Sequence, residues 1–374
     1  MVSQDGGVPI VSRSWSGNSS DSKIFRERSK ALINNFKNSP TPRYLVADSK
    51  LYSKETIEEA LQHIPFITRI PRSVKLEKET IRKSLEAPLE KWEILDERNR
   101  CVSSLVEYAG LKQRWITVGS KDMEYRSIKA TDKVKMQEKE ALTKELDKYS
   151  KKRFSCREDG EKGLLFLQKM AKLHSVKIDQ TIDHKVYEKK GRPGLDSKFS
   201  VVYQVIGTLV ENQSAIQERK KQGSCYIIGT TVPEEELSDQ QVVEAYKGQN
   251  SSVERGFRFL KDPLFFTSSL FIKKPERITG LLMVMTLALL VYSIAQRNLR
   301  LHLQKTEKTL PNQIKKEVST PTLRWIFQMM EGIELVRVLI NDAINITISG
   351  LTTLRMRILS CFPPSVRKIY GLAS

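Results

Sequence analysis

The sequence predicts a mixed α/β protein, interrupted by a long, mainly β insertion and closed by a basic, α-helical C-terminal region. Three observations carry this. Hairpin, helix, strand, helix and strand signals follow one another over residues 1–71, the alternation of an α/β layer. Three apolar alternating runs then fall between residues 72 and 235, with a Lys/Glu-rich helix among them. A strongly apolar helix and a basic tail with helical spacing end the chain.

Each element has a local cause. Asp5-Gly6-Gly7 beside alternating residues predicts a tight turn and a strand from Val8 to Trp15. Polar residues from Ser16 to Ser22 cap a helix to about Asn38, with Ile24, Phe25, Ala31, Leu32 and Phe36 on its apolar side. Pro40 and Pro42 end it. Tyr44–Ala47 is a short strand closing on Asp48, Ser53 begins a helix to about Ile64, and Phe66–Ile70 is a further strand. In the insertion, strands are expected at Trp115–Val118, Phe199–Val205 and Cys225–Gly229, with a solvated helix from about Met123 to Lys152. Asp239 starts a helix that runs through Lys261 and stops at Pro263. Ile278–Ala295 is 18 residues without a charge, roughly 27 Å of helix, and helical patterns recur near Leu323–Ile348. The expected divisions are therefore 1–71, 72–235, 236–300 and 301–374.

Composition narrows the function. A chain of 374 residues holds two or three domains of roughly 150 residues, and 39% hydrophobic content supports a sizeable core. Lys and Arg total 63 against 44 Asp and Glu, a net charge of +19. That argues against an enzyme for cationic substrates and for a polyanionic partner, nucleic acid or an anionic membrane surface. Cys101, Cys156, Cys225 and Cys361 lie far apart with no Cys-x-x-Cys pair, which excludes a zinc ribbon or disulfide framework and fits a reducing compartment. The first residues lack the basic and apolar regions of a signal peptide. Taken alone, the uncharged Ile278–Ala295 run suits either a core helix or a single membrane span.

Two acidic residues stand where chemistry could sit. Asp48 ends an apolar strand and precedes a helix, so it belongs at the carboxyl edge of a sheet, where α/β sites form. A turn or capping aspartate is the ordinary alternative. Glu254 lies in VERGFRFLKDP, where Asn250, Glu254, Arg258 and Lys261 fall close to one line on a helix, beside an apolar stripe of Tyr246, Val253, Phe257 and Leu260. An amphipathic helix with i,i+4 ion pairs explains that spacing equally well.

The segment YKGQNSSVERGFRFLKDP, with YLVADSKLYSKETI upstream and KKPERITGLLMVMTLALLVYSIAQRNLR downstream, resembles the DDE transposases of insertion sequences. More narrowly, it is similar to the group with a Tyr-x-x-Arg-x-x-x-Glu-x6-Lys signature and a β-rich insertion in the catalytic core. GRP at 191–193, YKGQ at 246–249 and TPTLRWIFQMMEGI at 320–333 extend the likeness over nearly the whole chain. The resemblance implies a ribonuclease-H-like core with Asp48 as the second catalytic aspartate and Glu254 as the catalytic glutamate, together holding Mg²⁺ ions, with Mn²⁺ as a substitute. Lys261 matches the signature lysine. Tyr246 stands eight residues before Glu254 rather than seven, and Asn250 occupies the arginine's place; Gln249 looks like this branch's variant, and Arg258 could take over the phosphate contact.

The same resemblance implies DNA as partner, both terminal inverted repeats and target, and a homodimer in a synaptic complex. It implies a cytoplasmic, nucleoid-associated prokaryotic protein without a membrane anchor, its apolar helix buried as core. Arg192, in Lys189-Lys190-Gly191-Arg192-Pro193, resembles a minor-groove hook, with a basic turn as the plainer alternative. Trp115 could stack on an unpaired base, although a buried strand tryptophan is the plainer reading. The triad's first aspartate has no counterpart: of the acidic residues before Asp48, Asp5 is at a hairpin tip, Asp21 in a polar run and Glu27 within a helix. The chain is therefore expected to be an amino-terminally truncated transposase that binds DNA but does not cut it alone. A non-catalytic DNA-binding remnant or inhibitor is the alternative.

Overall fold

Apolar runs covered on both sides become the central strands here, and polar runs become ribbons and surface helices. The structure is a computed structural model that describes residues 2–3, 5–11, 13, 21–36, 44–188, 194, 198–249, 274–340 and 343–372. The chain divides into two compact units, Ser20–Tyr246 and Met1–Ser19 with Lys247–Ser374.

In the first unit α1 (Asp21–Phe36) precedes β1 (Leu45–Ala47), α2 (Lys54–Thr56) with a π-helical continuation over Ile57–Leu61, β2 (Phe66–Arg69) and α3 (Lys75–Glu86). Ser53 caps α2 by accepting the Thr56 N–H at 3.2 Å. Then come β3 (Glu93–Ile94), β4 (Asn99–Tyr108), β5 (Leu111–Ser120), α4 (Lys121–Ser150) and α5 (Arg157–Phe166). β6 (His174–Tyr187), β7 (Phe199–Glu211), α6 (Gln213–Gly223) and β8 (Cys225–Thr230) follow, and a helix over 239–249, here α7, leads out of the unit.

One mixed sheet holds six of these strands in the order β1-β2-β8-β5-β4-β3. β1 and β2 run parallel; every other pairing is antiparallel. Of the strands expected within the insertion, those at Trp115–Val118 and Cys225–Gly229 continue the sheet begun by β1 and β2. Ala109 and Gly110 both have positive φ and join β4 to β5 as a two-residue hairpin turn. Side chains alternate between two cores. One face packs Phe66, Trp115 and Ile227 under Leu51, Ile57, Leu61 and Ile81. The other packs Ile67, Cys101, Ile116, Val118 and Ile228 under Val242, Val243 and Ala245 of α7.

The long hairpin β6–β7 stands apart as its own two-stranded ribbon, packed on α4 and α5 through Leu146, Tyr149, Leu164, Val176 and Val205. α4 has 30 residues, so it extends about 45 Å. Its outer side carries the expected ion pairs, such as Lys144 to Glu140 at 2.7 Å.

In the second unit lie α8 (Pro275–Lys305), β9 (Leu310–Pro311), β10 (Glu317–Val318), α9 (Leu323–Met330), β11 (Glu334–Ile340), β12 (Ala343–Ser349), α10 (Thr353–Ser360) and α11 (Pro364–Ile369). Three expectations are corrected here. The Val8–Trp15 strand is reduced, in its described residues, to one bridge between Val2 and Pro9, because Pro9 brings no N–H to a ladder. The C-terminal region is not wholly helical. Gly332, at φ +80°, follows α9, and the β-branched alternation after it pairs as β11 and β12. Finally, α8 is not buried all round among the described residues. Met285, Leu289, Ser293, Leu299 and Leu303 form its covered stripe, while Met283 (65% exposed), Val284 (62%) and Val291 (69%) face outward. By length and composition alone α8 could cross a membrane.

Candidate active site

The parallel pair β1–β2 sets two carboxyl ends side by side. Ala47 pairs with Thr68, so Asp48 and Arg69, the next residue on each chain, stand level at one sheet edge. By strand alternation both lie on the face covered by α7. Asp48 is exposed, and the chain turns sharply after it. Its carbonyl accepts the Thr68 hydroxyl at 2.8 Å and the Leu51 N–H at 3.2 Å, while Oδ1 accepts the Lys50 N–H at 2.9 Å. Leu51 is fully buried, which anchors the turn. Among the described residues Oδ2 takes no hydrogen bond. The Asp48 backbone is thus fixed and Oδ1 makes the bond of a turn aspartate, while Oδ2 stays available among the described residues.

Helix α7 brings the second component. Its N-terminal end is pinned by a buried ion pair, Arg114 Nη1 to Asp239 Oδ1 at 2.6 Å, and Arg114 also donates to the Leu237 carbonyl at 2.6 Å. From there Val242, Val243 and Ala245 track across the sheet and deliver Tyr246 to the edge. Burial raises the Tyr246 phenol above its usual pKa; the Arg69 charge opposes that rise and the Asp48 charge adds to it. Arg69 also lies over the Tyr226 ring at 5.1 Å from its centroid. Burial pushes the Tyr226 phenol up to about 12, with Arg69 again opposing. Asp48, Arg69, Tyr226 and Tyr246 therefore form one electrostatic cluster at the carboxyl edge of β1 and β2.

Of the residues expected at the site, Asp48 and Tyr246 meet in this way. Gln249 is half-buried in the last described turn of α7. Asn250, Glu254, Arg258, Lys261 and Arg192 lie outside the described residues. Trp115 is fully buried, and its indole N–H donates to Gln113 Oε1 at 3.0 Å, so stacking on a base is excluded. Arg69 and Tyr226 were not singled out from sequence. The signal for Arg69 was present: a basic residue ending the second of two short apolar strands shares an edge with the aspartate ending the first.

A second acidic cluster lies elsewhere on the sheet. One ligand atom each from Glu93, Cys101 and Asp239 falls within 4.8 Å of the others. Burial, Asp239 and Glu93 together push the Cys101 thiol up to about 12, so it stays protonated at neutral pH. Asp239 is already matched by Arg114. A protonated thiol and a neutralised carboxylate do not fit a hard divalent cation. β4 is four strands from β1, about 19 Å at 4.8 Å per strand, so this cluster cannot share an ion with Asp48.

Comparison with curated proteins and comparison with solved structures each return no match. The family model described as the transposase DDE domain matches residues 1–291 and so includes both strands of the Asp48 edge and the whole of α7. A match over that much of the chain identifies it as a member of the DDE transposase family.

Proposed function

We propose that the chain is an insertion-sequence transposase that binds the terminal inverted repeats of its element and carries out Mg²⁺-dependent strand cleavage and transfer. The observation that carries this is the Asp48 edge: an exposed carboxylate with an available oxygen, level with Arg69 and coupled to Tyr246. Family membership makes DNA the expected partner. The finer assignment, to the group with the Tyr-Arg-Glu-Lys-type signature and a ribonuclease-H-like core, rests on Tyr246, Gln249, Glu254 and Lys261 as sequence.

In this reading Asp48 and Glu254 supply the hard oxygen ligands of a two-metal site, with Mn²⁺ as a substitute. Bound metal would supply Lewis acidity and an activated water or 3′-hydroxyl for phosphodiester chemistry. Arg69, Arg258 and Lys261 neutralise phosphate, Tyr246 and Gln249 position the strand, and Arg192 grips the groove at a distance. The working form is a homodimer on paired ends, in the cytoplasm and on the nucleoid. A DDE site needs a third carboxylate beside Asp48 and Glu254; Asp5, Asp21 and Glu27 are the acidic residues that precede Asp48. The rival reading is a DNA-binding remnant or inhibitor; Asp5 accepts the Arg297 Nε–H at 2.7 Å in an exposed ion pair.

The test is end binding and cleavage with labelled inverted repeats in Mg²⁺. Binding that falls steeply with salt supports both readings. Cleavage by the chain alone that disappears with Asp48→Asn or Glu254→Gln would keep the transposase and remove the need for a further carboxylate. No affinity for the ends would overturn both.

A further inference from the structure

β11 and β12 form a sheet that no third strand extends among the described residues. A lone two-stranded hairpin is marginal in water, and its outer edges present unpaired N–H and C=O groups. Proteins usually blunt such edges with lysine, proline or a bulge. β12 has none of these. It reads Ala343-Ile344-Asn345-Ile346-Thr347-Ile348-Ser349, without charge or proline, and its register with β11 runs unbroken from Glu334↔Ser349 to Ile340↔Ala343. Ile344 and Ile346 are 69% and 59% exposed.

The order of residues in β12 is nearly palindromic about Ile346. We propose that β12 is a self-association edge: two copies of the chain pair their β12 strands antiparallel about a two-fold axis at Ile346. The product is a four-stranded sheet in the order β11-β12-β12-β11. In that register Ile346 faces the partner subunit's Ile346, and Ile344 faces the partner subunit's Ile348. Asn345 falls opposite the partner subunit's Thr347, and Ala343 opposite the partner subunit's Ser349. Like meets like along the whole strand, as an isologous two-fold interface requires. The aliphatic cross-strand pairs cover one another where each copy alone leaves them in water.

Face-to-face stacking of two hairpins is the competing arrangement, and Arg337 argues against it. Arg337 pairs with Ile346 across the hairpin and so shares the face of Leu335, Leu339, Ile344 and Ile346. Stacking would bury two guanidinium groups, while the one acidic residue of the two strands, Glu334, lies on the other face by alternation. Edge pairing leaves Arg337 on an outer strand, in water.

The test needs no DNA, so its outcome is separate from that of the cleavage assay. Light scattering on the full chain should show a dimer at micromolar concentration. Ile346→Lys, made in an Arg337→Thr background so that it faces no cation within its own hairpin, sets like charges opposite each other at the axis and should raise the dimer dissociation constant at least tenfold over that background while the circular dichroism spectrum stays unchanged. Register is checked by oxidation in a Cys156→Ser background, since Cys156 is the exposed native thiol. Residues directly opposite in an antiparallel pair have Cα atoms about 4.5–5.5 Å apart, within disulfide range. Ile346→Cys should therefore cross-link to a covalent dimer. Thr347→Cys, two residues out of register with its own copy, should cross-link far less. A monomeric chain, a dimer indifferent to Ile346→Lys, or equal cross-linking of both cysteine variants would each overturn the proposal.

Discussion

Asp48, at the edge of the sheet, and Asp239, at the start of the helix that covers one of its faces, are the same residue in opposite circumstances. Asp239 is buried and matched at 2.6 Å by Arg114, so its charge is spent on holding the start of α7. Asp48 is exposed, its backbone is fixed by Thr68 and Leu51, and among the described residues it keeps an oxygen available. The difference teaches how to read a carboxylate on an α/β sheet. Solvent access with a fixed backbone leaves a carboxylate free to take a ligand, whereas burial with a matched cation makes it a strut. The two are linked mechanically, because the helix that Asp239 pins is the one that delivers Tyr246 to Asp48.

The largest expected effect falls on the strut. Asp239→Ala leaves Arg114 buried without its counter-charge and should cost about 3–5 kcal/mol in urea unfolding, whereas Asp48→Asn should leave the unfolding midpoint unchanged. Arg114→Met with Asp239→Leu should recover much of that loss, since a packed apolar pair replaces the ions. Equal destabilisation by Asp48→Asn and Asp239→Ala would break the distinction.

Next is Trp115→Ala, expected to cost about 3–5 kcal/mol by opening a cavity beneath Tyr52 and Tyr108, with the salt dependence of DNA binding unchanged. Loss of DNA affinity without loss of stability would mean that the indole reaches a base after all.

Glu138 offers a smaller effect that depends on pH. Its Oε1 accepts the backbone N–H groups of Lys172, Leu173 and His174 and contacts the His174 ring. Burial opposes ionisation, but those hydrogen bonds outweigh it and hold the carboxyl below its usual range. A depressed folded-state pKa stabilises above the unfolded value, near 4.3, and that contribution is lost as pH falls through the folded value. Glu138→Gln should therefore cost about 1–3 kcal/mol at pH 7 and progressively less below pH 4. An identical cost at both pH values would contradict the assignment. Smallest of all, Tyr246→Phe should change stability by less than about 1 kcal/mol yet weaken binding of inverted-repeat DNA. Unaltered binding would remove Tyr246 from the site.

How much was legible follows from burial. β1, β2, β5 and β8 were readable because their apolar runs lie under helices. β4, with Ser103 and Ser104 exposed, and β6, with Asp179, Gln180 and Lys185 in water, carry too few apolar residues to announce themselves. Over β11 and β12 dense apolar sequence suits both the helical and the strand period at short length; Gly332 and the β-branched residues are what separate them. At the site, Asp48 was visible as a strand-ending acid. Arg69 carried a signal, as the basic residue ending the next apolar strand, but its place beside Asp48 depends on the parallel pairing of β1 with β2, and that of Tyr226 on β8 lying beside β2, which spacing alone does not encode.

On the proposed function, divalent metal binds at the Asp48 edge and not at Glu93, Cys101 and Asp239. Fe²⁺ loaded in place of Mg²⁺, with ascorbate and peroxide, cuts a polypeptide beside the bound ion, and mass spectrometry locates the cuts. Cuts are expected close to residues 48 and 254, both suppressed by excess Mg²⁺ and both lost in Asp48→Asn. Cuts near residues 93, 101 and 239 that persist in Asp48→Asn would contradict it.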